Sequence, residues 1–333
     1  MVRATNILLV IILLMGCDSE QATTSFSEGE EGTITITTRA EGSVIDNFAD
    51  GSTIRIAVYE SDNANRYSTL YLSEDFGDMY SDIYGTRTSG VWKYSFDGGS
   101  SSSVYFGYIQ EDGASIDMVA TYPYVSDDDL SAVSFSIASQ SSTYNLGYMW
   151  ATANDISLYS SLLNADLYFQ HIMTALNIRM ILTNSATYTT LSSVTLTLTD
   201  ASGTEKSSII SKGTIDFSTG VITDQTYVST QKITIGTNLS STSYTDNTLY
   251  LPPFEMAATD KLTLSFSIDG VTIDETITLA GDQFTTTETS GTYSMSRGTR
   301  YSLNIELDNY LKFSGTITKD NTWDYTSDTQ TNI

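Results

Sequence analysis

The sequence predicts an all-β protein composed of two antiparallel β-sandwich domains in tandem. Short runs in which apolar and polar residues alternate recur along the chain, and clusters of Gly, Asn, Asp and Ser separate them. Many short strands with turns at this spacing are typical of β-sandwiches. The chain has 22 tyrosines and only 3 prolines, and its many Ser and Thr residues suit pleated surfaces that meet water on one face. Its 333 residues are enough for about two domains of ordinary size.

The first 16 residues predict a lipoprotein signal peptide. A basic N-terminus precedes an unbroken apolar run at 7–15, which is far shorter than the roughly 20 residues that span a bilayer. The run ends in Leu-Met-Gly-Cys, which resembles a bacterial lipobox, and Cys17 is the chain's only cysteine. Cys17 is therefore the predicted lipidation site, and residues 17–32 form a flexible lipidated leader. The alternative is a plain signal peptide with an incidental cysteine.

The charge of the chain excludes nucleic acid as a partner. The sequence has 40 acidic and 15 basic residues, a net charge of −25, and removal of residues 1–16 takes away one arginine and leaves −26. Such a chain has no means of neutralising a row of phosphates. Its charge instead favours solubility and discourages random self-association.

Alternating patterns place the strands. A first strand holds Ile34 and Ile36, and a hairpin is predicted at Asp269-Gly270, between two alternating runs. One stretch, residues 154–173, suggests a helix instead. The domain boundary is predicted near residue 166, which gives an N-terminal domain at 33–166 and a C-terminal domain at 167–333. The other predicted strands are residues 53–59, 103–109, 132–138, 175–182, 194–199, 261–268, 271–279, 301–307 and 311–317.

Arg39 follows the first strand closely and has two interpretations. Ile34 and Ile36 alternate with threonines, which is the period of a half-buried strand, and then comes a lone arginine with small residues after it. Arg39 is either an ordinary turn residue or a place meant to be cut.

The search for chemistry finds no catalytic residue, metal site or cofactor site. His171 is the only histidine, which rules out a site with several histidine ligands and favours a buried structural role. The acidic run 127–129 lacks the ligand spacing of a calcium loop. No spacing selects a pair of glycosidase carboxylates. Trp92, Trp150 and Trp323 suit sugar stacking or core packing equally well.

Several stretches, taken in order, resemble the fimbrillin family of the Bacteroidetes, the type V pilins and their relatives. The resemblance runs through nearly the whole chain after the lipobox, including the first strand with its Thr-Arg-Ala ending. The stretches that carry it are "MVATYPYVSDDDLSAVSFSIASQSS" (118–142), "YFQHIMTALNIRM" (168–180), "KGTIDFSTGVI" (212–222), "LYLPPF" (249–254) and "RYSLNIELD" (300–308).

This resemblance implies two transthyretin-like β-sandwich domains exported as a surface lipoprotein of the outer membrane. In polymerising members, an arginine-specific protease cuts after an arginine that follows the first strand, which corresponds here to the bond between Arg39 and Ala40. The displaceable strand would carry Ile34 and Ile36. The vacated groove then accepts a strand from another fimbrillin-type subunit, so that such subunits, the protease and outer-membrane lipid are the implied partners.

The resemblance implies that the strand donated to the next subunit lies near the C-terminus. Leu311, Phe313 and Ile317 alternate as a donor strand would, whereas the tail after residue 318 is polar. A weak donor suits a terminal or tip-like subunit, or a lipoprotein that never polymerises. Arg66 and Arg87 lie in predicted loops and offer a protease other choices.

Two other functions compete with a structural and adhesive pilus subunit. The first is a non-polymerising surface lipoprotein that binds glycans, suggested by the tyrosine-rich, acidic, lipidated β architecture. Host or bacterial surface glycans or proteins would then be its partners. The second is an enzyme, which would need a carboxylate pair that only coordinates reveal.

Overall fold

The structure is a computed structural model, and it confirms an all-β chain. It describes residues 22–23, 33–40, 48–60, 82–95, 115–127, 129–140, 146–157, 162–183, 188–257, 259–278, 285–287, 292–307 and 313–320. All regular elements in these ranges are strands. No helix in them has the length and apolar character needed to cross a membrane.

The described ranges contain 22 strands. The first nine are β1 (Ala22–Thr23), β2 (Thr33–Ala40), β3 (Thr53–Glu60), β4 (Asp82–Thr88), β5 (Val91–Ser95), β6 (Ser115–Tyr122), β7 (Val133–Ser136), β8 (Met149–Ser157) and β9 (Leu162–His171). The others are β10 (Thr174–Leu182), β11 (Thr190–Thr199), β12 (Ile209–Asp216), β13 (Val221–Val228), β14 (Thr230–Asn238), β15 (Thr245–Leu251), β16 (Phe254–Ala257), β17 (Lys261–Ile268), β18 (Val271–Thr278), β19 (Thr285–Thr287), β20 (Thr292–Met295), β21 (Arg300–Leu307) and β22 (Phe313–Asp320).

These strands form five sheets. The largest has eight strands in the order β1-β2-β9-β8-β6-β3-β4-β5. Two sheets have four strands, β15-β10-β21-β22 and β14-β11-β17-β18, and two have three strands, β13-β12-β7 and β16-β20-β19. Most pairs are antiparallel, as the sequence predicts, but β2 with β9 and β10 with β21 are parallel.

Alternation along the strands builds the core. In β11, Val194, Leu196 and Leu198 are fully buried, while the threonines between them are partly exposed. The apolar residues of β17 alternate in the same way, and the buried side chains of the chain form one hydrophobic cluster. The period of two in the sequence therefore corresponds to the two faces of each sheet.

The hairpin predicted at Asp269-Gly270 is confirmed. Ile268 pairs with Val271 across a two-residue loop, and φ is 47° at Asp269 and 81° at Gly270, as the favoured primed turn requires. The Asp269 carboxylate also accepts hydrogen bonds from the Thr189 and Thr190 amides at 2.7 and 3.0 Å. These donors stabilise the charged form and lower the pKa of Asp269.

The helix suggested for residues 154–173 is wrong, because this stretch contains the end of β8 and all of β9. In β9, Ala165, Leu167 and Phe169 are buried, whereas Asp166 and Tyr168 between them are exposed. This alternation is that of a strand, and pairing with neighbouring strands outweighs the local helix preference of leucine and alanine.

Several strands, β4 and β5 among them, lie where the sequence analysis predicts none, whereas the strand predicted at 103–109 lies outside the described residues. Arg87, predicted to sit in a loop, is buried in β4. At Gly85, two residues earlier, an added Cβ would lie 2.7 Å from Ile54. The core-facing positions of β4 therefore include a glycine and an arginine, which hides the strand pattern.

Strand pairing and side-chain hydrogen bonds join the segments that lie on the two sides of the predicted domain boundary. β9 continues through residue 166, and β7 pairs with β12 from Val133↔Ile215 to Ser136↔Lys212. The buried Gln140 side chain donates to the Tyr250 carbonyl at 2.9 Å and accepts from the Tyr250 amide at 2.8 Å. The division into domains at 33–166 and 167–333 stays a prediction.

Trp150 packs on the turn between β12 and β13. Gly220 in this turn has a φ of +67°, and a Cβ added there would lie 2.0 Å from Trp150 Nε1. One residue before Met149, Tyr148 meets Phe217 edge to face, with ring centroids 5.6 Å apart. Both contacts fix the β12–β13 hairpin against the eight-stranded sheet. Trp92 is buried, so core packing accounts for it, and Trp323 lies outside the described residues.

His171 is a buried residue at the end of β9, paired with Met149 of β8. Burial lowers the pKa of His171 from 6.5 to about 3, because the imidazolium cation would lose its hydration. The histidine is therefore neutral in the folded protein at ordinary pH, which agrees with the structural role that the sequence favours.

Replacement of Gly220 by alanine should cost more stability than the same change at Gly203. Both residues have positive φ, but an added Cβ at Gly203 meets open space. Gly203→Ala should therefore lose about 1–2 kcal/mol from backbone strain alone, and Gly220→Ala about 1–3 kcal/mol more from the collision with Trp150. Urea unfolding of both variants measures the difference. Equal losses would contradict the Trp150 contact.

The folded protein should lose stability as the pH falls from 8 to 5. Below pH 6.5 the unfolded chain protonates His171 and the folded chain does not, so unfolding becomes easier by about 2 kcal/mol at pH 5. The lowered pKa of Asp269 acts only at lower pH, where its carboxylate begins to be protonated.

His171→Gln is the matched variant for this test, because it keeps a neutral polar side chain without a titrating ring. Denaturant unfolding at several pH values should show a shallower slope between pH 8 and 5 in the variant than in the parent protein. The same slope in both proteins would assign the pH dependence to other groups.

Candidate strand-exchange site

The strand β2 lies near one edge of the eight-stranded sheet. It pairs in parallel with β9 over its full length, from Thr33↔Leu162 to Ala40↔Phe169. Its other neighbour, β1, pairs with it at only two positions. In the described part of the chain, β2 is therefore held mainly by one strand, and its removal would leave the edge of β9 open.

The register shows which face of the sheet each position of β2 occupies. Ile34 pairs with Leu163 and Ile36 with Ala165, which is 1% exposed. Paired residues in a sheet lie on the same face, and residues two apart share that face. The positions of the two isoleucines predicted to belong to a displaceable strand therefore share the face of the sheet on which the buried Ala165 lies.

Arg39 lies on the opposite face. It pairs with Tyr168, whose side chain is 45% exposed, whereas Ala40 pairs with the fully buried Phe169. The sequence analysis places Arg39 just after the first strand, but the structure includes both Arg39 and Ala40 as the last two residues of β2. The bond between them thus lies at the end of the segment that pairs with β9.

An aromatic cluster lies in the core next to this end of β2. Phe48 contacts Phe169 edge to face, with ring centroids 5.3 Å apart. It also contacts Trp92 at 5.4 Å and Tyr122 at 4.9 Å. Loss of β2 would therefore expose the edge of a strand whose inward residues belong to a packed aromatic core.

The candidate donor residues are paired within the same chain. Phe313 pairs with Leu307 and Ile317 with Leu303, so that β22 forms an edge of its four-stranded sheet. Leu303 is buried, which places Ile317 on the core face there too. Leu311 lies outside the described residues, as do Cys17, the signal peptide and all but residues 22–23 of the leader.

The structure describes only part of the acidic run 127–129. Asp127 and Asp129 are exposed, and Asp128 lies outside the described ranges. Across those ranges, no group of three His, Cys, Asp or Glu side chains is arranged to hold a metal ion. Arg87, a competing target for a protease in the sequence analysis, is 7% exposed, and Arg66 lies outside the described part of the chain.

Comparison with solved structures supports the fold. A candidate cell adhesion protein of Bacteroides ovatus matches with a TM-score of 0.55 at 16% identity, covering 88% of this chain and 97% of that protein. A candidate cell adhesion protein of Bacteroides uniformis matches with a TM-score of 0.51 at 14% identity, covering 84% and 93%. At such low identity, the similarity concerns the fold alone.

Comparison of the sequence gives the family. No curated protein matches this chain. The Fimbrillin-like family matches residues 38–320, which is most of the chain and includes Arg39, β9 and β22. The protein therefore belongs to the Fimbrillin-like family.

Proposed function

We propose that this protein is a structural and adhesive subunit of a type V pilus, assembled by protease-triggered strand exchange. The observation that carries the proposal is the parallel pairing of β2 with β9, which ends at Arg39 and Ala40. Before cleavage, Cys17 would anchor the subunit to lipid of the outer membrane, with the folded chain on the cell surface. Membership of the Fimbrillin-like family supports this assignment, and other fimbrillin-type subunits would be its partners.

Cleavage after Arg39 would separate nearly all of β2 from the rest of the chain. Arg39 pairs with Tyr168, whose side chain is 45% exposed, and this position suits access by an arginine-specific protease. After the cut, β2 is no longer covalently attached, so its dissociation gains the entropy of a free peptide. Only Ala40, opposite Phe169, would remain of the strand.

The interactions lost with β2 are large enough to drive assembly. Ile34 and Ile36 contribute about 1.5–3 kcal/mol each if fully buried, and the ladder hydrogen bonds add about 1 kcal/mol each. The total is comparable with the roughly 5–15 kcal/mol by which a whole protein is stable. An open edge of β9 beside an apolar trough is a template for strand addition.

A donor must first leave its own sheet. Because β22 pairs with β21 along its full length, donation by Phe313 and Ile317 requires that this pairing be broken. The exchange then replaces one edge pairing by another, and the net driving force comes from the vacant β9 edge. Strand exchange therefore needs a trigger, because an uncut subunit has no vacant β9 edge to accept a donor.

Arg39→Ala should block assembly. An arginine-specific protease should convert the parent protein to a species that begins at Ala40 and forms ladders on a non-reducing gel. The Arg39→Ala protein should stay monomeric, because β2 stays attached. Arg297→Ala is the control, since Arg297 is an exposed arginine that lies in a turn before β21. Monomeric product after cleavage at Arg39, or ladders from Arg39→Ala, would contradict the proposal.

Ile317→Asp should turn the subunit into a chain terminator. A charge on the core face would prevent β22 from filling a neighbour's trough, while the variant's own β9 edge still accepts a strand. Mixed with cleaved parent protein, it should shorten the ladders in proportion to its amount.

Thr316→Asp is the matched control, because Thr316 pairs with the partly exposed Asn304 and so lies on the other face of β22. It should leave ladder length unchanged. Circular dichroism of both uncut variants checks that the fold is retained. Equal shortening by both, or by neither, would show that β22 is not the donor.

A further inference from the structure

A groove of about 470 Å³ opens beside β13 and the beginning of β16. Its floor is apolar, because Ile210 of β12 and Phe254 of β16 line it and each is 5% exposed. Its volume lies within the roughly 300–1,000 Å³ that is common for small-ligand sites. None of the strands β2, β9, β21 and β22 contributes to this groove, so it is separate from the candidate strand-exchange site.

Tyr227 provides an exposed aromatic ring at the rim of the groove. Its side chain is 51% exposed, although it lies directly opposite Ile210 in the register of β13 and β12. The Tyr227 hydroxyl donates to Gln225 Oε1, and Gln225 Nε2 donates to the Ile222 carbonyl at 2.8 Å. The ring is therefore held in place before any ligand arrives, which lowers the entropy cost of binding.

The remaining walls are polar. Ser207 and Ser208 contribute hydroxyl groups, and the exposed Glu255 contributes a carboxylate. Within the described ranges, none of these three side chains has a hydrogen-bond partner. They are therefore free to bind a ligand that carries several hydroxyl groups, with the carboxylate oxygens as the strongest acceptors.

The size and charge of the groove narrow the class of ligand. At about 470 Å³, the groove has the size of a small-ligand site. Glu255 and the net charge of −25 disfavour anionic ligands, including phosphates and acidic sugars. A ligand that suits the groove carries no negative charge, presents an apolar face to Tyr227 and offers hydroxyl groups to the walls.

We propose that the groove binds a neutral oligosaccharide. The C–H face of one sugar ring stacks on Tyr227, and its hydroxyl groups donate to Glu255 and exchange hydrogen bonds with Ser207 and Ser208. The proposal does not depend on strand exchange, since a subunit that polymerises and one that does not would bear the same groove.

Titration of the purified protein with lactose, cellobiose, maltotriose and mannotriose tests the proposal, with saturation-transfer NMR and calorimetry as readouts. At least one of these neutral sugars should bind in a saturable manner. Tyr227→Ala should weaken that binding at least tenfold, and Glu255→Gln should weaken it several-fold. A sugar acid of similar size should bind less tightly than its neutral counterpart.

Val221→Ala is the matched control, because Val221 lies on the same strand with the same exposure of 51% but outside the groove. Its affinity for the sugar should equal that of the parent protein. The proposal is overturned if no sugar saturates the protein at about 10 mM, a concentration that would detect even millimolar affinity. It is equally overturned if Tyr227→Ala binds the sugar as tightly as the parent protein does.

Discussion

Two strands, β9 and β10, follow each other almost without interruption. They connect the eight-stranded sheet to the four-stranded sheet that contains β10. β9 ends at His171 and β10 begins at Thr174, and the two residues between them, Ile172 and Met173, are buried. β9 pairs with β2, and β10 pairs with β21, which in turn pairs with β22. The proposed acceptor edge and the strand next to the proposed donor are thus attached to one run of chain, packed at its middle.

This arrangement would support the proposed strand exchange. Removal of β2 would open only one side of β9. On its other side, β9 still pairs with β8, at Met149↔His171 and Trp150↔Gln170. The buried, neutral His171 lies at that retained end. The edge of β9 can therefore change its partner while the connection to β10 stays packed.

The sequence predicts a strand correctly where the alternating pattern and the turn that follows it are both local features. The hairpin of β17 and β18 has strict alternation and an Asp-Gly turn, and both are visible without knowledge of the fold. β4 was missed because its inward positions include Gly85 and Arg87, which no hydrophobic pattern includes. β9 was misread because Leu and Ala also favour helices, and its strand character depends on its neighbours.

The sequence did not predict which distant strands pair with each other. Nothing near β7 indicates that it pairs with β12, more than 70 positions away, and nothing in β2 indicates a parallel partner at residues 162–169. The sequence therefore predicted the residues of the candidate site but not the strands with which they pair. The groove at Tyr227 was missed for the same reason, because Phe254 and Glu255 lie on a strand that is distant in the sequence.

The composition of the exchanging strands gives the proposed assembly a direction. The core-face positions of β2 are Ile34, Ile36, Thr38 and Ala40, so that the half nearest the cut offers little apolar surface. In the sequence of the candidate donor, Leu311, Phe313 and Ile317 alternate with polar residues. A donor segment that includes Leu311 would offer three large apolar side chains in place of two, and each adds about 1.5–3 kcal/mol if fully buried. In the proposed mechanism, a resident strand with fewer large apolar side chains than the donor would keep the uncut monomer folded and would leave the exchange favourable after cleavage.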